Sequence, residues 1–324
     1  MMNRQQQILA GVLVAQLVFI AVAFWPRAAA TGAGAPVFPG LEAGDMVALT
    51  MTDADGNSIA LRKEGEGWIL PEADGFPAQS EKISPVLDKI TGLTTSRLVT
   101  RTTASHKRLQ VSSEEFVRRL DFQTADGSQH TLYLGSSPQS GVMHFRVDGQ
   151  QETYLTGDFS TWEMRAEAAA WIDTAYVNLD DAEIDKMTLE NANGSFTFTR
   201  DEDDNWNMQG LGPDETLDQT AVDGVVQKAA SLVMERPLGK EDRPDYGMDR
   251  PNAVVHLETA DTTITIRLGA LDPEDESYVV ISSESPYYVR VASYSLQDLV
   301  EKTRDGFLQL PPTPTPQEEP GSTE

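Results

Sequence analysis

The chain has 324 residues, 40% of them hydrophobic, enough to fill two cores of ordinary size. Asp and Glu number 51 against 25 Lys and Arg, and the resulting net charge of −26 repels phosphate backbones and argues against a nucleic-acid partner. There is no cysteine, which excludes disulfides, thiolate catalysis, Cys-containing zinc sites and a lipoprotein anchor.

Arg4 is the only charged side chain ahead of an uncharged run, Ile8 to Trp25. A helix of that length rises about 27 Å, close to the hydrocarbon thickness of a bilayer. Trp25 stands where an interfacial aromatic belongs, and Arg4 favours a cytoplasmic amino end. Residues 1–27 are therefore expected to be a single-pass membrane anchor, with everything after it on the far side from the cytoplasm. The rival reading is a cleaved signal peptide, since small residues follow in AAATGAGA, although the run exceeds the usual h-region of ~7–15 residues. Residues 28–44, rich in Ala, Gly and Pro, read as a flexible tether.

Two stretches then repeat. GNSIALRKEGEGW, Gly56 to Trp68, recurs as GSFTFTRDEDDNW, Gly194 to Trp206, with both end residues displaced by 138 positions. In the first copy, residues 45–160, Val47, Leu49 and Met51 alternate up to the Asp-Gly turn of DADGN, and Ile59 and Leu61 alternate after it, a hairpin signal. Ile83, Val86, Leu87, Ile90 and Leu93 recur at helical spacing; Ser80 is one candidate cap for the helix, and Ser84 with Pro85 at the first helical position is the better-placed start. Phe122 to Thr124 meets Thr131 to Leu134 across ADGSQ, and His144 to Val147 meets Thr153 to Leu155 across DGQQE. Residues 161–180 contain WEMRAEAAAWID, which reads as a short bridging helix. In the second copy, residues 181–308, NANG replaces DADG, Phe196 and Phe198 replace Ile59 and Leu61, and the helical stripe returns as Val222, Val225, Val226, Ala229 and Leu232. The strand ending at Gly135 (LYLG) matches the one ending at Gly269 (IRLG). Tyr246, Gly247 and Pro251 belong to YGMDRP, whose first-copy counterpart, HKRLQV at His106 to Val111, is degenerate. Residues 309–324 are Pro-rich and acidic and read as a disordered tail. The fold expected is α+β: two tandem homologous repeats, each an antiparallel meander packed with one amphipathic helix, after a transmembrane helix.

No reaction is visible. The four histidines, His106, His130, His144 and His256, lack the spacing of a zinc-protease helix. Asp53 and Asp55 have calcium-loop spacing, but no closing glutamate follows, so DADGN reads as a turn. DEDD, Asp201 to Asp204, reads as a solvated hairpin turn. No G-x-S-x-G elbow, Walker loop or dinucleotide fingerprint occurs, so the chain is expected neither to bind ATP nor to be an enzyme. Trp68 and Trp206 invite a carbohydrate-stacking reading, against which stands their use as plugs between helix and sheet. No cofactor or metal site is expected, and Gly56, Trp68, Gly135, Gly194, Trp206, Tyr246, Gly247, Pro251 and Gly269 are markers of the repeat.

The amino-terminal apolar run, Trp206 followed by the helix from Asp218, YGMDRP, IRLG at Ile266 to Gly269 and YYVRV at Tyr287 to Val291 together resemble the bacterial family catalogued as domain of unknown function 4340. The resemblance covers about residues 45 to 300. It implies a non-catalytic auxiliary component of an ABC-type transport system related to gliding motility, anchored in a bacterial inner membrane with residues after 27 periplasmic, and partnered by an ABC permease or a larger accessory membrane protein. The alternatives are a cell-wall or glycan-binding module and, more remotely, a hydrolase with an unrecognised carboxylate site.

Overall fold

The computed structural model describes residues 34–157 and 159–309. The span expected over Ile8 to Trp25 and the tail after Gln309 lie outside them. Among the described residues no helix is long and apolar enough to cross a membrane.

The first half is built on β1 (Met46–Asp53) and β2 (Ser58–Glu64), the hairpin that the alternation predicts. Leu49 and Met51 point one way and are fully buried, as period-2 geometry requires; Met46 joins them in place of the expected Val47, which is only half-buried, because the register slips between Met46 and Ala48. β3 (Gly67–Leu70) and β4 (Phe76–Ala78) extend the sheet on that side. Helix α1 (Ser80–Thr91) follows and buries Ile83, Val86, Leu87 and Ile90 against the sheet. The chain then reaches the far edge as β5 (Leu98–Thr100), returns beside β1 as β6 (Arg118–Thr124), and continues through β7 (Gln129–Leu134), β8 (His144–Val147) and β9 (Thr153–Leu155). The resulting nine-stranded antiparallel sheet has the order β4-β3-β2-β1-β6-β7-β8-β9-β5.

β10 (Ala175–Asn178) pairs with β14 (Ser231–Val233), and the rest of the second half forms an eight-stranded sheet. Its members are β11 (Ile184–Asn191), β12 (Gly194–Arg200), β13 (Trp206–Met208), β15 (Arg236–Gly239), β16 (Ala253–Thr259), β17 (Thr263–Asp272), β18 (Ser277–Ser282) and β19 (Tyr288–Ala292). Their order, β13-β12-β11-β16-β17-β18-β19-β15, is that of the first sheet without a partner for β4. Even the irregularity recurs: β1 slips register against β6 between Met46 and Ala48, and β11 slips against β16 between Ile184 and Lys186. Helix α2 (Gln219–Ala230) takes the place of α1, and α3 (Ser293–Glu301) packs beside it.

The α+β expectation does not hold. Among the described residues antiparallel strands far outweigh helix, and only three α-helices occur. The halves do not carry one helix each, because the second has α2 and α3 where the first has α1 alone. Neither sheet is a simple meander, since β5 and β15 cross to the far edge before the chain returns beside β1 and β11. WEMRAEAAAWID is not an α-helix but two 3-10 turns, Thr161–Met164 and Ala168–Ala170, separated by extended residues at Arg165 and Glu167. The Trp171 indole N–H donates to the Arg165 carbonyl at 2.9 Å, taking an oxygen that a helix would have used. Helix α1 begins at Ser80, so Pro85 lies inside it, and the Ser84 hydroxyl donates to the Ser80 carbonyl at 2.9 Å instead of capping the start.

Each sheet is closed by a returning aromatic. The backbone N–H of Gln79, just before α1, donates to the Trp171 carbonyl at 2.7 Å, and that of Asp218, just before α2, to the Phe307 carbonyl at 2.9 Å. Both rings are buried. Ala35 to Phe38, in the stretch that composition marks as tether, pair with the chain after α1: Thr95 N–H donates to the Ala35 carbonyl at 2.9 Å, as Met234 N–H does to Thr174 at 2.9 Å after α2. The apolar interiors of the two halves form one continuous cluster that includes Trp171, Ile172 and Val177.

Two glycines are fixed by contact. A Cβ on Gly135 would lie 2.0 Å from the Leu109 carbonyl oxygen, and one on Gly269 2.0 Å from that of Tyr246. Gly135→Ala and Gly269→Ala are each expected to destabilise the fold by about 1–3 kcal/mol, near the top of that range. Gly56→Ala, in open space at φ +89°, is expected to lose only about 1 kcal/mol. Denaturant melts check the order, and equal losses at all three positions would contradict the docking contact. Glu215 provides a pH test. The Arg304 guanidinium forks onto both its oxygens at 2.6 Å and the Gly212 N–H donates at 2.7 Å, holding its carboxyl at about 2 against the ordinary 4.5. Stability from a lowered carboxylate is complete above its unfolded pKa and is lost as pH falls through the folded one. The melting-temperature gap between wild type and Glu215→Gln should be constant above pH 4.5 and close as pH falls to about 2.

Candidate functional site

The markers singled out in the sequence turn out to hold the fold. Gly56 sits in the β1–β2 turn, and Gly194 opens β12 directly after the β11–β12 turn. Trp68 and Trp206 are 5% and 2% exposed. The Trp206 indole N–H donates to Asp223 Oδ1 at 2.8 Å, and its backbone exchanges two bonds with the Gln219 amide, at 2.7 and 3.0 Å, so strand β13 is clamped to α2. Neither ring is available for stacking on a sugar. Trp162, 69% exposed on the Thr161–Met164 turn, is the aromatic that meets solvent there.

YGMDRP is a docking turn. Gly247 takes the left-handed conformation at φ 68° and seats the Tyr246 carbonyl over Gly269. The Arg267 guanidinium donates to the Met248 carbonyl, and Asn252, just after Pro251, donates through Nδ2 to the Gly269 carbonyl at 2.7 Å. HKRLQV builds the same device without a glycine: Gln110 adopts φ 56°, Leu109 sits over Gly135, and Arg146 Nε donates to the Val111 carbonyl at 2.7 Å.

The polar residues weighed as candidates are taken up locally. Asp53 accepts from the N–H of Asp55 at 3.0 Å and of Asn57 at 2.9 Å, and Asp201 accepts from Asp203 and Asn205 at 3.0 and 2.9 Å, so both are turn-forming carboxylates held below their usual range. His106 bonds the Gln151 carbonyl at 2.9 Å, His144 the Ser136 carbonyl at 2.7 Å and His256 the Thr265 hydroxyl at 3.0 Å, while His130 stacks on Phe122. Among the described residues no group of three His, Asp or Glu side chains could hold a metal ion.

What the structure does bring together is a cleft of about 1040 Å³ between the two halves. The first half contributes the Pro71–Ala73 turn after β3 and the start of β2, the segment between the halves contributes Ala166 to Ala169, and the second half contributes Val233 to Leu238, Arg243 and Tyr246. Leu70, Ala73, Ala166, Met234, Pro237 and Tyr246 are buried beneath it, whereas Glu72, Glu167, Glu235, Arg236 and Arg243 stand exposed around it. Small side chains at Ala73, Ala166, Ala168 and Ala169 leave the trough open, and charged residues rim it. Tyr246 is the one repeat marker that lines it.

The walls are held at fixed spacing. Asp74, itself left-handed at φ 51°, accepts from the Lys240 N–H at 2.7 Å, and Phe76 packs edge-on against Tyr287 with centroids 4.8 Å apart. Lys240 lies 4.7 Å over the same Tyr287 ring. Behind them Tyr176 donates to the Tyr287 carbonyl at 2.7 Å and accepts from the Ser282 N–H at 2.9 Å, and burial pushes its hydroxyl up to about 12. Sequence reading missed the cleft because its residues come from separated segments with no common period. The run LVMERPLG, where apolar residues meet charge without alternation, was the one local sign.

No curated protein and no solved structure matches the chain significantly. Residues 68–217 match the family model described as "Domain of unknown function (DUF4340)", a stretch that runs from β3 of the first sheet to the residue before the α2 cap, and this match supports a place for the chain in that domain family.

Proposed function

We propose that the chain is a non-catalytic accessory protein, held on the periplasmic side of a bacterial inner membrane by Ile8 to Trp25, whose inter-half cleft receives an extended segment of a membrane partner. The partner in this reading is an ABC-type permease, or an accessory membrane protein, of the gliding-motility type. The observation that carries it is the cleft itself: an apolar floor supplied by both halves, a charged rim, and β14 beside it, a strand that pairs on one side only, with β10. A trough bordered by a strand with a free edge suits a polypeptide that adds main-chain bonds and sets alternate side chains into the floor. Val233, 59% exposed at this border, is the apolar residue such a segment would cover. The resemblance in the YGMDRP and IRLG stretches supports the accessory role, and the family match over residues 68–217 supports the domain family. The glycan-binding alternative loses Trp68 and Trp206, the two rings on which it was built.

A photo-cross-linking residue at Val233, carried by the full chain in membranes of the native host, tests the reading. Cross-links to a multi-span ABC subunit, lost on Pro237→Asp in the trough, are expected. Cross-links only to glycan strands, or none at Val233 while exposed control positions react, would overturn it.

A further inference from the structure

The charge of this chain is unevenly spread. From Lys89 to Ser113 there are five Lys and Arg, a fifth of the chain's 25, and no Asp or Glu. The structure places the middle of that stretch on β5, the edge strand of the first sheet, which pairs with β9 alone. Leu98 and Val99 project there at 40% and 41% exposure, two neighbours among the large apolar side chains that meet solvent. Arg97 is exposed and donates to the Thr156 carbonyl at 2.9 Å. Arg101 is exposed and 4.0 Å from Glu152, its nearest carboxylate contact. Arg108 is exposed on the turn beyond. Lys107 lies nearby, paired with Glu114 at 2.9 Å and reaching Glu115 at 4.0 Å. Beside β5 is a hollow of about 350 Å³ bordered by Lys89, Arg97, Thr94, Ser96 and Thr156; Lys89 also pairs with Glu163 at 2.5 Å.

The same edge is where the described chain begins. Gly34 packs so closely on Ser96 that a Cβ would lie 2.2 Å from the Ser96 nitrogen, and Pro36 bridges to Thr94. Eight residues separate Trp25 from Gly34. Even fully extended, they reach only about 30 Å. On the anchor reading stated above, on which this inference rests, β5 cannot lie far from the lipid.

We propose that the β5 edge, Arg97 to Arg101 with Arg108, is a membrane-docking surface that lays Leu98 and Val99 into an anionic bilayer and its arginines among the lipid phosphates. A shallow apolar wedge and several cations each bind weakly, and together they hold a domain already tethered close by. An acidic protein is otherwise repelled by an anionic leaflet, so a local cationic edge fixes which face turns toward it and leaves the cleft turned elsewhere.

The absence of cysteine makes the test direct. The full chain is labelled with a fluorophore at Val99→Cys or, six strands away along the sheet, at Glu66→Cys, and reconstituted into phosphatidylcholine vesicles with or without phosphatidylglycerol. Quenching of the Val99 label by brominated lipid is expected only when phosphatidylglycerol is present, with the Glu66 label silent. Arg101→Gln should weaken docking about fivefold, and added salt should act in the same direction. A chain extracted from the vesicles by carbonate would overturn the anchor reading and this one with it. A carbonate-resistant chain whose Val99 label stays aqueous would overturn the docking surface alone. Protection that follows protein density instead of lipid charge would place a second copy there and overturn it too.

Discussion

Everything in this fold depends on how a twelve-residue helix is made to cover a sheet far wider than itself. Neither α1 nor α2 can do so alone. Each sheet is completed by chain that returns after its last strand and hands a carbonyl to the amide just ahead of the helix, Trp171 to Gln79 and Phe307 to Asp218. The bond satisfies an N–H at the helix entrance and pins a large ring over the open end of the core in one step. Trp171 also begins the passage between the halves, where Lys82 donates to the neighbouring Ile172 carbonyl at 2.9 Å. Closing the first sheet therefore positions the second.

That arrangement gives the cleft its character. Its walls belong to different halves, yet they are tied by one core and by contacts at Asp74, Tyr287 and Tyr176. A trough with walls at fixed spacing selects a partner by shape without moving. The charged residues around it stand on exposed segments, Arg236 paired with Asp275 and Arg243 lying 5.8 Å from the centre of the Tyr246 ring.

Short-range pattern was legible and long-range placement was not. The Asp-Gly and Asn-Gly hairpins and the apolar stripes of α1 and α2 announce themselves because their residues are neighbours in one element. β4, β5 and β15 are three or four residues long, two of them hold a proline, and none is long enough to show alternation. The Ala- and Glu-rich passage before Trp171 has helical propensity, but the indole bond to Arg165 and the burial of Ala166 outweigh it. HKRLQV could be aligned with YGMDRP by position, but nothing in its residues says that Gln110 will do what Gly247 does. The cleft is further removed still, because its segments meet only after both sheets have closed.

Native-state hydrogen exchange tests the closing interaction most directly. The amides of Gln79 and Asp218 should exchange only through global opening, with the same free energy as Phe122 and Val255 at the centres of the two sheets. Exchange at Gln79 or Asp218 several kcal/mol easier than at those positions would mean that the returning aromatics are ornaments on sheets that close without them.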